Sequence, residues 1–221
     1  MSFLQSAISS FDQMDFSKRS LCAEVWSEVA DKVQRNKLTQ NGIGDPLERD
    51  RIIEQLKVRP ALLVHIVDCL SKDIGAINGI AEVGTAQGLQ SILFAKAFPG
   101  ATVFTCDVKD DRDSLFSSVS NLHFVNGDSR QMSKLLSERE KVDFCWIDGA
   151  HDHYSVVNDF AALVLRTHSK TVWAFDDYDK RFGCFYDIST LIQHFREHII
   201  IDLGLTVSGN PNRIVLAGYL S

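Results

Sequence analysis

Residues 79–107 read GIAEVGTAQGLQSILFAKAFPGATVFTCD: an apolar run, a turn carrying two glycines, a helical stretch, and a second apolar run closing on an acid. Short, mostly apolar runs fit strands buried on both faces, and a helix between two such strands is the crossover of a parallel sheet. Downstream the rhythm repeats. The spacing predicts strands at Gly79–Val83, Thr102–Cys106, Leu122–Val125, Val142–Ile147 and Thr171–Phe175. Helices are predicted near Leu89–Ala97, Arg112–Ser118, Met132–Glu138 and Tyr154–Leu165. The tail changes character. HIIIDLGLTV (198–207) and RIVLAGYLS (213–221) are strand-like and are joined by SGNPN, which has hairpin-turn chemistry, so the sheet is expected to end in an antiparallel pair.

Upstream of residue 76 the pattern is helical. Leu21, Val25, Trp26, Val29 and Val33 recur at helical spacing within Phe16–Lys37. LTQNGIGDP (38–46) interrupts, and PLERDRIIEQLKV and RPALLVHIVDCLSK then read as two further helices, the second opening at Pro60. Leu47, Ile52, Ile53 and Leu56 form one apolar face, and Gly42 and Gly44 make the preceding loop a candidate lid. The expected fold is therefore α/β: a Rossmann-like, mostly parallel sheet (residues 76–221) with an antiparallel C-terminal hairpin and an N-terminal helical cap (residues 1–75).

The 221 residues, 45% hydrophobic, suffice for one sizeable core. A net charge of −6 with no Lys/Arg stripe argues against a nucleic-acid or anionic-membrane surface, which leaves small molecules as the expected partners. Cys22, Cys69, Cys106, Cys145 and Cys184 lack C-x-x-C spacing and read as reduced thiols of a cytoplasmic protein. No signal-peptide pattern and no long apolar run is present. Monomer and homodimer are both compatible with this sequence.

The chemistry is expected at the carboxyl ends of the strands, where doubly wound sheets bind ligands. Gly84 and Gly88 mark the first turn, where a ligand approaches backbone and a helix N-terminus faces it. Asp107, about twenty residues on, stands where an acid accepts hydrogen bonds from the hydroxyls of a ribose. The nicotinamide pattern G-x-G-x-x-G fails, because Ala86 occupies its middle glycine. At the same edge Asp148 closes the fourth strand, and Asp176 and Asp177 close the fifth. Three carboxylates so placed either raise one another's pKa or hold a hard cation such as Mg2+, Mn2+ or Ca2+.

AEVGTAQG resembles the E-x-G-x-x-x-G motif of class I S-adenosylmethionine-dependent methyltransferases, whose seven-stranded sheet ends in an antiparallel hairpin. The resemblance implies that Glu82 acts near the methionine amino group, that Gly84 and Gly88 admit the methionine portion, and that Asp107 holds the ribose. VNGDSRQ is similar to the adenine-contacting turn, implying Asp128 at the exocyclic amine with Ser129 nearby. Two positions after Gly88 the family commonly has a small hydroxyl residue; here Gln90 stands there and Ser91 follows, making Ser91 the candidate contact for the donor's carboxylate. FCWIDG and VWAFDDYD resemble the acid positions of catechol O-methyltransferase and related metal-dependent enzymes, implying Asp148, Asp176 and Asp177 as magnesium ligands, with Asp179 as an alternative and Asp148 also beside the donor. IDGAHDHYSVVNDF is similar to a bacterial I-D-G-x-H-x-Y subgroup and implies His151 as the base. Tyr178, Phe182, Phe185 and Tyr186 are candidates for lining the acceptor pocket.

The function implied is methyl transfer from S-adenosylmethionine to a hydroxyl of a small-molecule acceptor, with a divalent ion lowering the hydroxyl's pKa and an imidazole taking its proton. Two other classes stay open: a nicotinamide-dependent oxidoreductase, and a non-catalytic protein that binds an adenosine ligand. A metal-free methyltransferase is a closer variant of the first reading.

Overall fold

The computed structural model describes residues 1–41, 46–136, 141–205 and 211–220. Its helices are α1 (Phe3–Ser9), α2 (Phe16–Asn41), α3 (Pro46–Ile74), α4 (Leu89–Ala97), α5 (Ser129–Leu135), α6 (Ser155–Leu163) and α7 (Cys184–Leu191). The strands are β1 (Gly79–Val83), β2 (Thr102–Asp107), β3 (Leu122–Asn126), β4 (Val142–Ile147), β5 (Thr167–Phe175), β6 (Phe195–Leu205) and β7 (Pro211–Leu220). They form one sheet in the order β3-β2-β1-β4-β5-β7-β6. The pairs from β3 through β5 are parallel, and β7 runs antiparallel to both β5 and β6. The fold expectation holds: a Rossmann-like, seven-stranded, mostly parallel sheet with an antiparallel C-terminal pair.

Strand periodicity divides the core. Ile80, Phe144, Trp146, Val172 and Ala174 face one layer, where they join Leu4, Val25, Leu63 and Ile66 of the N-terminal helices and Ile92 of α4. Ala81, Cys145, Ile147, Trp173 and Phe175 alternate onto the other face, against Met132, Val156, Leu163 and Ile188 of α5–α7. Every residue of β1 and β4 is buried as a result, the reason these strands read as apolar runs broken only by Glu82 and Asp143. Strand order reverses between β1 and β4, so the turns after them diverge and open a crevice at their carboxyl ends.

Local differences from the sequence reading have physical causes. The two helices expected around Pro60 are one, α3, with the proline inside it. Proline removes one backbone donor, and the burial of Pro60, Leu62, Leu63, Val64, Ile66, Val67 and Leu70 carries the helix through. The helix expected at Arg112–Ser118 is a short 3-10 turn, Ser114–Ser118, capped by Asp113, whose side chain accepts from Leu115 N–H at 2.9 Å. Helices α1 and α7 had no counterpart in the sequence reading. The candidate lid glycines Gly42 and Gly44 and the side chains of Leu47 and Ile52 lie outside the described residues, as does the turn joining β6 to β7. Among the described residues no helix is long and apolar enough to cross a membrane.

Candidate active site

A cavity of about 500 Å³ opens at the carboxyl ends of β1, β2 and β4, with Gly84, Asp107, Asp128, Ser129, Asp148 and Asp159 on its walls. A smaller compartment of about 70 Å³ adjoins it through Gly84 and Asp148 and is lined by Arg59, Glu82, Gln90 and Trp146. A cavity of about 490 Å³ at the opposite edge surrounds Asp143. There the acid is already engaged by Asn78 N–H (2.6 Å), Gly79 N–H (3.1 Å) and His168 (2.8 Å), so the chemistry points to the carboxyl edge.

The first turn is tightly determined. Gly84 has φ +95°, and a Cβ there would stand 1.9 Å from the carbonyl oxygen of Asp148, so the close pass of the β4 backbone, as much as any ligand, demands glycine. Gly88 opens α4 in the left-handed region at φ +86°, with the Phe116 ring 2.8 Å from where its Cβ would be. Asp107 is held by two backbone donors, Ala86 N–H to Oδ2 at 2.9 Å and Lys109 N–H to Oδ1 at 3.0 Å. A carboxylate has about four acceptor positions, so Asp107 is fixed in direction with capacity left for two hydroxyls.

Glu82 is fully buried. It accepts from Ser91 Oγ and from Thr105 Oγ1, the latter at 2.6 Å, and burial pushes its pKa up to about 7 against those hydrogen bonds. Ser91 is therefore buried beneath the turn and turned toward Glu82, away from both cavities. The residue that faces the smaller compartment is Gln90, whose buried Nε2 has no hydrogen-bond partner among the described residues. A buried donor without a partner is costly, and a carboxylate in that compartment would satisfy it.

The strand-end acids sort into two groups. Asp148, His151 and Asp177 bring one ligand atom each within 4.8 Å of one another. His151 Nε2 lies 2.6 Å from Asp177 Oδ2, and Asp177 itself has φ +53°, an uncommon conformation for a non-glycine residue. Asp176 turns the other way, to the guanidinium of Arg59, which also lies 3.4 Å from Asp148. Asp179 is bound by Arg181, whose hydrogen bonds hold it below the usual carboxylate range.

Residues 81–178 match the family described as a methyltransferase domain. That span runs from β1 through the acids closing β5. No curated protein matches the chain. Among solved structures, the O-methyltransferase from Bacillus cereus in complex with SAH is 14% identical with a TM-score of 0.59, covering 85% of this chain and 97% of its own. The O-methyltransferase TomG from Streptomyces achromogenes, in complex with SAM, is 15% identical with a TM-score of 0.57, covering 94% and 91%. An rRNA methylase from Streptococcus thermophilus is 12% identical with a TM-score of 0.55, covering 72% and 96%. At these identities the likeness establishes a shared fold.

Within the matched span, the expected donor residues Glu82, Gly84, Gly88, Asp107, Asp128, Ser129 and Asp148 all gather around the first turn and its two cavities, while Ser91 is placed below them. Asp128 caps α5: its Oδ1 accepts Gln131 N–H at 3.1 Å and its Oδ2 meets Arg130 Nε at 2.9 Å, a pairing that lowers its pKa. Of the expected metal set, Asp148 and Asp177 converge with His151, and Asp176 is drawn away by Arg59. Along the I-D-G-x-H-x-Y pattern His153 occupies the tyrosine position, and Tyr154 follows in a left-handed conformation, φ +69°, with its N–H on Asp187 Oδ2 at 2.5 Å. Tyr154 is exposed, as is Tyr186, which stacks on His153 at 6.0 Å; Tyr178 and Phe182 instead pack into the core.

Arg59 and Gln90 were not among the expected site residues. Arg59 reaches the site from α3, with its guanidinium 5.5 Å over the Trp146 ring and its protonated form favoured strongly by Asp176, Asp148 and Asp177 against the cost of burial. Nothing local in KVRPALL marks it. For Gln90 a signal existed: it replaced a small hydroxyl residue at a fixed distance from Gly88.

Proposed function

We propose that this protein is an S-adenosylmethionine-dependent methyltransferase that moves a methyl group to a hydroxyl of a small-molecule acceptor, with a divalent cation held by Asp148 and Asp177. One observation carries the reading: the cavity lined by Gly84 and Asp107 ends at Asp148, and there Asp148, His151 and Asp177 bring their ligand atoms within 4.8 Å of one another. The methyltransferase-domain match and the SAH and SAM bound by similar structures support the donor.

In this reading Asp107 would hold the ribose, and Gln90 and Arg59 line the compartment that would take the amino-acid end of the donor. The bound donor would supply a methyl group on sulfonium sulfur, transferable to the acceptor oxygen in one displacement that leaves a neutral thioether. When bound, the cation lowers the acceptor hydroxyl's pKa and fixes its direction. His151 takes the hydroxyl proton. With Nε2–H donated to Asp177, the lone pair of the neutral ring sits on Nδ1, and Asp177 orients the imidazole as well as the ion. Much of the remaining acceleration is positional, worth up to ~7–11 kcal/mol in well-oriented reactions. The exposed rings of Tyr154 and Tyr186 border the side from which an acceptor arrives.

A metal-free variant has its own support, because Arg59 already places a fixed cation between Asp148 and Asp176. Calorimetry separates these readings. SAH is expected to bind and NAD to give no heat; Mg2+ titrated into the SAH complex of the wild type is expected to bind, and binding is expected to vanish in Asp177→Asn. Saturable binding of NAD in place of SAH would overturn the donor assignment. Methyl transfer that survives EDTA would favour the variant based on Arg59.

A further inference from the structure

Four acids line the larger cavity, and Asp159 has so far had no role. It projects from α6 close under the turn after β4: a Cβ added to Gly149 would lie 3.5 Å from Asp159 Oδ2. Its pKa is pushed up to about 6, mainly by burial, with the charges of Asp128 and Asp152 acting in the same direction and a hydrogen bond from Ser129 opposing. Asp128, on the facing wall, is in the reverse condition. Its oxygens are engaged by the α5 cap and by Arg130, and it is held below the usual carboxylate range. An additional donor gains little from a carboxylate that is already paired and solvated. It gains more from a desolvated one.

A base seated in this cavity, with its ribose on Asp107, presents its edge to the walls formed by α5 and α6. We propose that Asp159, rather than Asp128, accepts a hydrogen bond from the 6-amino group of the donor's adenine and so makes the site selective for adenine over a 6-oxopurine. The inference rests on the donor reading above. An amino group donates to the carboxylate, whereas a 6-oxo group would oppose it with a second acceptor. Asparagine at 159 carries both an acceptor and a donor and should satisfy either base.

The test is calorimetry on the full-length chain with two probes, S-adenosylhomocysteine and its counterpart bearing hypoxanthine. The wild type should prefer the adenine compound by about tenfold or more, the scale of one hydrogen bond to a charged group. In Asp159→Asn that ratio should fall to near unity. In Asp128→Asn it should stay at the wild-type value. Because the readout is a ratio within one protein, a general loss of folded molecules cancels. Asp159→Ala provides a second variant, expected to lose the preference without any gain toward the oxo compound. A preference that survives in both Asp159 variants, or that collapses only in Asp128→Asn, overturns the assignment while leaving the donor reading in place. A wild type that binds neither compound overturns both.

Discussion

Arg59 is the residue on which the two chemical readings divide. Asp176 is 5% exposed, its Oδ1 has no hydrogen-bond partner among the described residues, and its Oδ2 is paired with the Arg59 guanidinium. A buried carboxylate of this kind is tolerable because the arginine is there. Arg59→Met should therefore cost about 3–5 kcal/mol of folding stability, the range for breaking a buried ion pair by removing one partner. Neutralising the abandoned acid as well, in Arg59→Met with Asp176→Asn, should recover most of that loss, and the coupling can be read from denaturant midpoints of the four proteins. If the single and double variants are equally destabilised, the pair is not the reason Arg59 is held there. Mg2+ should raise the midpoint of Arg59→Met more than that of the wild type, because the freed Asp176 then turns toward Asp148 and Asp177. This residue was invisible in the sequence. It lies 89 positions before Asp148 and 117 before Asp176, and only the tertiary placement of α3, with the Arg59 guanidinium over the Trp146 ring of β4, brings it in.

At the scale of elements, the parts legible in the sequence are those whose signal is local. Strands β1 and β4 appeared as mostly apolar runs because both of their faces are buried, and the acids closing β2, β4 and β5 were legible because a strand's last polar residue marks where the sheet meets solvent. Pro60 misled because propensity weighs one lost donor without weighing the buried face around it. Helix α5 was legible from its place between β3 and β4 in the alternation of strands and helices; α1 and α7, equally short at seven and eight residues, show little helical period. The same limit blurred the roles of the site residues: spacing placed Asp176 and Asp177 together at one strand end, but adjacent residues point apart, and only the backbone at Asp177 determines which one meets His151. The turn after β1 permits a sharper test. Gly84→Ala would add left-handed strain, ~1–3 kcal/mol, to a collision with the Asp148 carbonyl. The expected loss is at least about 3 kcal/mol in urea unfolding, with SAH binding abolished as the β1 and β4 turns separate. A variant of wild-type stability would show that the two turns can move apart freely.

For the whole molecule, the buried Glu82 ties stability to pH in a direction opposite to that of an ordinary ion-paired acid. Its ordinary value is 4.5 and its folded value is about 7, so between those pH values the folded state holds a proton that the unfolded chain has released. Stability must then fall as pH rises through this window, by about 3 kcal/mol for this group alone, and remain low above pH 7. Asp159, raised to about 6, contributes in the same direction over a lower and narrower range. Glu82→Gln keeps an acceptor for Ser91 and Thr105 and removes the titration. The difference in unfolding free energy between wild type and Glu82→Gln should therefore shift in favour of the variant from pH 4.5 to pH 7 and then level off. Parallel pH profiles for the two proteins would mean that the carboxyl group keeps its ordinary value in the core, and that Ser91 and Thr105 hold an anion beneath the first turn. A shift of the opposite sign would mean that a cation, such as Arg59, lies closer to Glu82 in solution than the buried hydroxyls do.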